Sequence, residues 1–165
     1  MTQIGVGLVG FGLSGRVFHA PFVQASEDLA LRAVVSSDPA KVHDRLPGIT
    51  VVPSVEALLA EPGIELVIVA SPDDSHADHA VAALDAGKHV LVEKPVATTL
   101  ADAQRMRDAA ERAGRMLTVF QNRRWDADFL TLNRMIGEGL LGEIVHFESH
   151  FDRWKPDVPE RWKDA

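Results

Sequence analysis

The sequence of 165 residues contains no cysteine, which excludes a disulfide framework and a thiolate metal site. Basic charge is also scarce, because 17 lysine and arginine residues face 24 aspartate and glutamate residues, for a formal net charge of −7. Nucleic-acid binding requires a basic surface, so this balance argues against it. Every apolar run is shorter than a membrane span, and the first residues lack the pattern of a secretory signal. We therefore expect a cytoplasmic protein that binds neither nucleic acid nor membranes.

Short runs rich in valine, isoleucine and leucine alternate with amphipathic segments along most of the chain. The runs predict strands over 4–10, 29–37, 49–52, 64–72, 89–93 and 116–121. The segments between them predict helices over about 14–25, 54–63, 75–87 and 100–114. Ser54 and either Thr98 or Thr99 are suited to cap two of these helices, and Gly87 and Gly114 to end two. This alternation predicts an α/β fold with a Rossmann-type doubly wound parallel sheet.

The pattern changes after Trp125. Residues 128–139 predict a helix, and residues 142–154 alternate apolar and polar side chains as a strand does. No neighbouring segment of the sequence is suited to pair with that strand or to cover it. We therefore predict a dinucleotide-binding domain over 1–125 and only the start of a second α/β domain over 126–165. A fragment of a longer protein is the favoured interpretation, and a naturally short binding module without catalysis is the alternative.

Gly10, Gly12 and Gly15 form a G-x-G-x-x-G pattern between the first predicted strand and the first predicted helix. In this context Gly10 suits a tight turn, Gly12 lets the backbone approach a pyrophosphate, and Gly15 lets the helix pack on the strand. The start of the helix offers free N–H groups to the phosphates. The pattern favours a dinucleotide site over a plain turn. The predicted cofactor contacts also include the intervening residues Phe11, Leu13 and Ser14.

Ser36 and Ser37 end the second predicted strand, where dinucleotide-binding proteins often place an acid that binds the ribose 2′-hydroxyl. Hydroxyl side chains leave room for a 2′-phosphate and donate hydrogen bonds to it. The negative charge of Asp38 opposes a phosphate here, and Lys41 is placed to offset that charge. We predict NADP as the cofactor, with NAD as the alternative. A simple turn role for these serines also stays open.

Several separated motifs make the sequence resemble one enzyme family. They are SPDDSHADHAVAALDAGKHVLVEKP at 71–95, FHAP at 18–21, NRRWDADFLTL at 122–132 and GEIVHFESHFDRW at 142–154. On these motifs the chain resembles the Gfo/Idh/MocA family of glucose–fructose oxidoreductase and inositol dehydrogenase, and within it the branch of NADP-dependent scyllo-inositol dehydrogenases. The resemblance implies an NAD(P)-dependent oxidoreductase that transfers a hydride between a nicotinamide cofactor and a sugar or polyol.

The resemblance also implies roles for individual residues. Lys94 matches the family's catalytic lysine, which contacts the reacting oxygen of the substrate. An ammonium there stabilises the alkoxide that develops as hydride leaves the carbon. The bond between Lys94 and Pro95 is often cis in the family. The further cofactor contacts that the resemblance implies are Ser71, Pro72, Asp73, His76, Glu93, Lys94 itself and Asn122, with Asp73 standing where the family usually has asparagine.

A metal site at His76 and His79, with Asp74 and Asp78 nearby, is the competing interpretation of the same segment. No further set of ligands converges with these residues in the sequence pattern, and polar side chains are common in a first helical turn. We therefore predict no metal.

Members of the family are considerably longer than this chain, so the partners of the lysine in proton transfer and most substrate contacts are expected outside it. We therefore expect the chain alone to be inactive and the full-length protein to form a homo-oligomer. A non-catalytic NADP(H)-binding sensor is the alternative function, and a structural or partner-binding module is a third. The residues present do not decide the substrate's identity.

Overall fold

A computed structural model of the chain describes residues 3–152, 154 and 156. The chain divides into two compact units between Gln121 and Asn122. In the described residues, the strands of the first unit are β1 (Ile4–Val9), β2 (Leu29–Val35), β3 (Thr50–Val52), β4 (Leu66–Val69), β5 (His89–Val92) and β6 (Leu117–Val119).

These six strands form one sheet in the order β3-β2-β1-β4-β5-β6, and every neighbouring pair is parallel. The central strand β1 pairs Leu8 with Val34 of β2 on one side and with Ile68 of β4 on the other. The strand order reverses between β1 and β4, which makes this pair the topological switch point of a doubly wound sheet. The predicted Rossmann-type α/β fold is confirmed.

Helices connect the strands of the first unit. A π-helical turn over Gly15–His19 leads into α1 (Ala20–Ala25), and the others are α2 (Pro39–His43), α3 (Val55–Ala60), α4 (His76–Asp85) and α5 (Leu100–Ala113). In the part of the chain that the structure describes, none of the helices is both long and apolar enough to cross a membrane.

Local sequence signals set the ends of these helices. Ser54 caps α3 by accepting a hydrogen bond from the Ala57 N–H at 3.2 Å, and Thr99 caps α5 by accepting one from the Asp102 N–H at 3.1 Å. Gly114 ends α5 in the left-handed conformation at φ 60°. The caps predicted at Ser54 and Thr99 and the stop at Gly114 are confirmed.

Buried side chains cover both faces of the sheet, because successive residues of a strand point to opposite sides. On one face Val67 of β4 packs in a cluster with Leu84 of α4 and Met106 of α5. On the other face Ile68 packs in a separate cluster that includes Val23 of α1. Burying such a side chain contributes about 1.5–3 kcal/mol. Because both faces of the sheet are covered, a binding site is expected at the loops that follow the strands.

The second unit begins with a 3-10 turn over Asn122–Trp125 and continues as α6 (Ala127–Gly137). The helix predicted from residue 128 is thus confirmed. Within this unit, Arg123 Nη1 lies 2.7 Å from Asp126 Oδ2, and its guanidinium lies 5.2 Å from the ring centroid of Phe151.

The strand predicted over 142–154 is wrong, because residues 142–152 have no strand structure. The apolar side chains of the segment, such as Val145 and Phe147, are exposed. A strand needs a neighbour to complete its backbone hydrogen bonds, and in the described portion of the second unit there is none. Residues 153, 155 and 157–165, which belong to the predicted start of a second domain, lie outside the described residues.

Candidate functional site

The loops that follow β1, β2, β4 and β5 leave the sheet at its carboxyl edge, because all strands of the sheet are parallel. In open α/β sheets this edge, at the switch point, is where ligands bind. The residues predicted for the site within the first unit lie on these loops or on the helix turns that follow them. Asn122 instead opens the 3-10 turn of the second unit.

The three glycines of the glycine loop, residues 10–15, have different structural roles. Gly10 has a φ of +94°, and a Cβ there would lie 2.7 Å from the Ala70 carbonyl oxygen. A Cβ on Gly15 would collide with the Gly10 carbonyl oxygen. A Cβ on Gly12, by contrast, would meet no atom within 4 Å. Gly10 and Gly15 therefore serve the packing of the loop, whereas Gly12 faces open space.

The side chains between the glycines point in different directions. Phe11 is buried at 4% exposure in the hydrophobic cluster on one face of the sheet, and Leu13 is 68% exposed. The Ser14 hydroxyl donates a hydrogen bond to Glu93 Oε1. Of the three, Ser14 alone connects the glycine loop to another predicted site residue by a side-chain hydrogen bond, as far as the structure describes the chain.

The two serines after β2 lie in a tight turn. The Ser36 hydroxyl accepts a hydrogen bond from the Asp38 N–H at 3.1 Å, and Asp38 Oδ1 accepts one from the Lys41 N–H at 3.0 Å. Asp38 thereby caps the short helix α2, which the sequence pattern did not predict. The turn role that was left open is present, and the side chain of Ser37 is exposed beside it.

The buried ring of His76 links the loop after β4 to the segment after β5. Its Nδ1 lies 2.8 Å from the Pro95 carbonyl oxygen, and its Nε2 lies 3.0 Å from the Ser71 carbonyl oxygen. A carbonyl oxygen only accepts hydrogen bonds, so the ring donates through whichever nitrogen carries a proton. Both ring nitrogens of His76 thus face backbone carbonyl oxygens. Pro72 and Asp73 lie between these anchor points at the start of a 3-10 turn.

The same contacts bear on the metal interpretation. Each ring nitrogen of His76 faces a backbone carbonyl oxygen, and His79 Nδ1 lies 3.0 Å from the Ser71 hydroxyl. Burial lowers the pKa of His79. Within the described ranges, no group of three histidine, aspartate or glutamate side chains is placed to hold a metal ion.

Lys94 follows β5, with an exposed side chain and a cis peptide bond to Pro95. The Lys94 N–H donates a hydrogen bond to Glu93 Oε2 at 3.1 Å, on one side of this dipeptide. On the other side, the Pro95 carbonyl oxygen meets the His76 ring. The backbone that carries Lys94 is therefore fixed at both ends while its ammonium group faces solvent.

Sequence reasoning did not place His19 among the candidate site residues, although the FHAP motif at 18–21 contains it. Its ring is 3% exposed, with Nε2 2.9 Å from Glu93 Oε1 and the ring centroid 4.4 Å from that of Phe120. His19 and Glu93 are 74 positions apart, so no local spacing connects them. The available signal was weaker: a histidine inside an apolar helical segment, and a glutamate at the end of a buried strand.

Burial by itself raises the pKa of the Glu93 carboxyl, but hydrogen bonds from His19, Ser14 and the Lys94 N–H hold that pKa below its usual value. Glu93 is only 8% exposed, and three donors converge on its carboxylate. Glu93 is therefore ionised at neutral pH and accepts all of these bonds.

This lowered pKa predicts acid sensitivity. An unfolded glutamate titrates near pH 4.3, so ionised Glu93 stabilises the fold above about that pH, and the contribution is lost as pH falls through the lower folded pKa. We expect the free energy of unfolding to fall more in the wild type than in Glu93→Gln between about pH 6 and pH 3. Urea denaturation across this range measures the difference, and parallel curves for the two proteins would contradict the prediction.

Comparison with known proteins gives consistent matches. The model of the Gfo/Idh/MocA oxidoreductase family, described as an NAD-binding Rossmann fold, matches residues 4–121. The chain is 46% identical over 162 residues to the uncharacterized oxidoreductase YdgJ of Escherichia coli (strain K12), covering 98% of this chain and 47% of that protein. It is 38% identical over 164 residues to scyllo-inositol 2-dehydrogenase (NADP(+)) IolW of Bacillus subtilis (strain 168), covering 99% and 46%.

A solved structure agrees with these matches. The YPO2259 protein from Yersinia pestis superposes with a TM-score of 0.94 at 46% identity, covering 98% of this chain and 46% of that one. The chain thus spans about half the length of the relatives it matches.

Proposed function

This chain belongs to the Gfo/Idh/MocA oxidoreductase family, whose model describes an NAD-binding Rossmann fold, and from that premise we propose that it is the cofactor-binding part of a dehydrogenase. The proposed reaction transfers a hydride between a nicotinamide and the carbon that bears a hydroxyl group of a sugar or polyol. One observation carries the proposal: the open position at Gly12 and the exposed Lys94 belong to one hydrogen-bonded group of loops, joined through Ser14 and Glu93. The activity in IolW's name supports a polyol as the substrate class.

The glycine loop fits a dinucleotide. Gly12 leaves room for the backbone to meet a pyrophosphate, while Gly10 and Gly15 hold the loop against the rest of the sheet edge. Amide groups at the start of the helical segment are available to phosphate oxygens. The bound nicotinamide would supply the hydride chemistry. The chain's own part is to bind the cofactor and to fix its position.

Lys94 is the proposed catalytic residue. Its ammonium group is exposed at the end of a buried strand, and the Glu93 carboxylate and the His76 ring hold its backbone. Beside a substrate oxygen, an ammonium stabilises negative charge as the C–H bond breaks and passes a proton to or from that oxygen.

We propose NADP as the preferred cofactor. The turn after β2 offers the exposed Ser37 hydroxyl, whereas the Ser36 hydroxyl bonds to the Asp38 backbone and the Asp38 carboxylate caps α2. A 2′-phosphate at this turn would find a hydroxyl donor at Ser37 and the positive charge of Lys41 nearby in sequence. The NADP(+) in IolW's name supports the same choice.

Calorimetric titration of this chain with NADPH and NADH tests the proposed binding function and the preference together. We expect the wild type to bind NADPH more tightly, and Ser37→Asp to weaken NADPH binding about tenfold or more, because two negative charges in contact cost about 1–4 kcal/mol at the surface. Ser37→Asn is the matched control of similar size without charge, and we expect it to retain the preference. No binding of either cofactor would reject the proposed function, and tighter binding of NADH by the wild type would reject NADP alone.

The remaining proposals concern the whole protein. We propose that the Rossmann domain spans 1–125, that residues 126–165 begin a second α/β domain, and that the full-length protein acts in the cytoplasm as a homo-oligomer on a small sugar or polyol. The chain matches only about half the length of its relatives, which supports a second domain in the full-length protein. Size-exclusion chromatography with light scattering on the full-length protein tests the oligomeric state, and a monomer would contradict it.

A further inference from the structure

We propose that His19 and Glu93 form a buried positioning pair that fixes the glycine loop and the Lys94 backbone as one rigid group. The inference rests on the proposed function for its consequence in cofactor binding, but its structural part concerns the cofactor-free chain. Neither residue needs to touch the cofactor in this role. His19 is otherwise without any assigned part in the site.

The first step of the argument is the convergence of donors on one carboxylate. Ser14 Oγ and His19 Nε2 donate to Glu93 Oε1, and the Lys94 N–H donates to Glu93 Oε2 at 3.1 Å. Ser14 lies in the glycine loop, whereas Lys94 follows a different strand. The Glu93 carboxylate therefore links the glycine loop to the segment after β5, although Ser14 and Glu93 are 79 positions apart in the sequence.

The second step concerns the π-helical turn over Gly15–His19. In this turn the Ala20 N–H bonds to the Gly15 carbonyl oxygen, so residues five positions apart lie on nearly the same side of the helix. In a regular α-helix, at 3.6 residues per turn, such residues would point about 140° apart. The wider turn thus lets Ser14 and His19, which are five positions apart, both reach Glu93. We assign the turn a positioning role.

The third step is the fixed orientation of the His19 ring. Nε2 carries the proton that it donates to the carboxylate, and the ring packs against Phe120 at an interplanar angle of 52°. Phe120 is itself held by a hydrogen bond from its N–H to the Val92 carbonyl oxygen at 2.8 Å. The His19 ring is therefore held by Glu93 on one side and by Phe120 on another. A ring held in this way is suited to keeping neighbouring segments in place.

Hydrogen exchange in the chain without cofactor tests the structural part. In the wild type we expect slow exchange at the Arg16 amide, which bonds to the Gly12 carbonyl oxygen, and at the Lys94 amide. Glu93→Gln should speed exchange at both about tenfold, because the amide group is a weaker acceptor than the carboxylate. Glu65→Gln is the matched control, since Glu65 accepts a backbone N–H at the amino end of the same sheet. Unchanged exchange at both amides in Glu93→Gln would overturn the proposal.

Two further measurements separate positioning from mere packing. The His19 Nε2–H proton should give a downfield, slowly exchanging NMR signal that is lost in Glu93→Gln, because the bond to a carboxylate is charge-assisted. A double-mutant cycle of His19→Gln and Glu93→Gln should also show less than additive losses in NADPH affinity, with each single variant losing about tenfold. Additive losses, or a missing signal in the wild type, would overturn the pair.

The outcomes distinguish this inference from the proposed function. If the wild type fails to bind NADPH, the proposed function fails, while the exchange and NMR results still decide the pair. If NADPH binds but Glu93→Gln leaves the affinity and the two amides unchanged, the pair fails and the function stands. Should Glu93→Gln not fold, Ser14→Ala provides the milder test, with Ser54→Ala as a control that removes the same hydroxyl at the start of α3.

Discussion

Replacing Gly12 with valine should abolish NADPH binding and leave the fold intact. A Cβ at this position meets no atom within 4 Å in the cofactor-free chain, so a side chain can begin there without a collision. The same side chain would occupy the space through which the backbone is expected to approach the pyrophosphate. We expect a loss of at least about 100-fold in NADPH affinity by calorimetry, with a melting temperature within about 2 °C of the wild type.

Gly15→Val is the informative contrast. Its Cβ would collide with the Gly10 carbonyl oxygen, a backbone atom that cannot move aside without disturbing the loop. We expect this variant to be destabilised by about 3 kcal/mol, because overpacking a tight contact forces the backbone to shift. Gly12→Val thus tests the role of the loop in NADPH binding, and Gly15→Val tests its role in stability. If Gly12→Val unfolds, or if it binds NADPH normally, the assignment of the glycine loop is wrong.

Lys94→Ala should reduce kcat of the full-length protein about 1,000-fold, with a sugar or polyol substrate, while NADPH affinity changes by less than about threefold. The expected loss follows from removing the group proposed to stabilise the developing alkoxide and to move its proton. The expected retention of binding follows from the geometry, because the Glu93 carboxylate contacts only the backbone N–H of this residue. Steady-state kinetics and cofactor titration measure the two effects separately.

Lys88→Ala is the matched control, since Lys88 precedes the same strand at its amino end and donates to the Ile64 carbonyl oxygen at 2.8 Å. We expect it to leave kcat within about twofold of the wild type. Full activity of Lys94→Ala would exclude the catalytic role. A wild-type protein that binds NADPH but shows no dehydrogenase activity on any polyol would instead support the sensor function.

The fold followed from the sequence because its signals are local. Short apolar runs predicted the strands. The caps at Ser54 and Thr99 required only a hydroxyl side chain directly before a predicted helix. The glycine loop was predictable for the same reason. The short helix α2 escaped prediction because its five residues are too few to show a periodic apolar pattern.

The site was harder to predict because its contacts join distant parts of the chain. Nothing near His19 in the sequence indicates a carboxylate, and nothing near Glu93 indicates that Ser14 of the glycine loop is its partner. The same limit explains the wrong strand over 142–154, where an alternating pattern expresses a propensity but a strand also requires a partner. A sequence pattern can predict a single helix or strand, whereas the pairing of a strand depends on the rest of the fold.

The shared sheet edge makes the glycine loop, the turn after β2, and the segments after β4 and β5 thermodynamically dependent on one another. Each loop is anchored in the same parallel sheet, so a ligand that needs all of them binds only molecules in which the whole sheet is formed. By mass action, such a ligand at 100 times its Kd adds about 2.7 kcal/mol to the stability of the sheet. Cofactor occupancy would therefore govern how long the first unit survives heat or proteolysis.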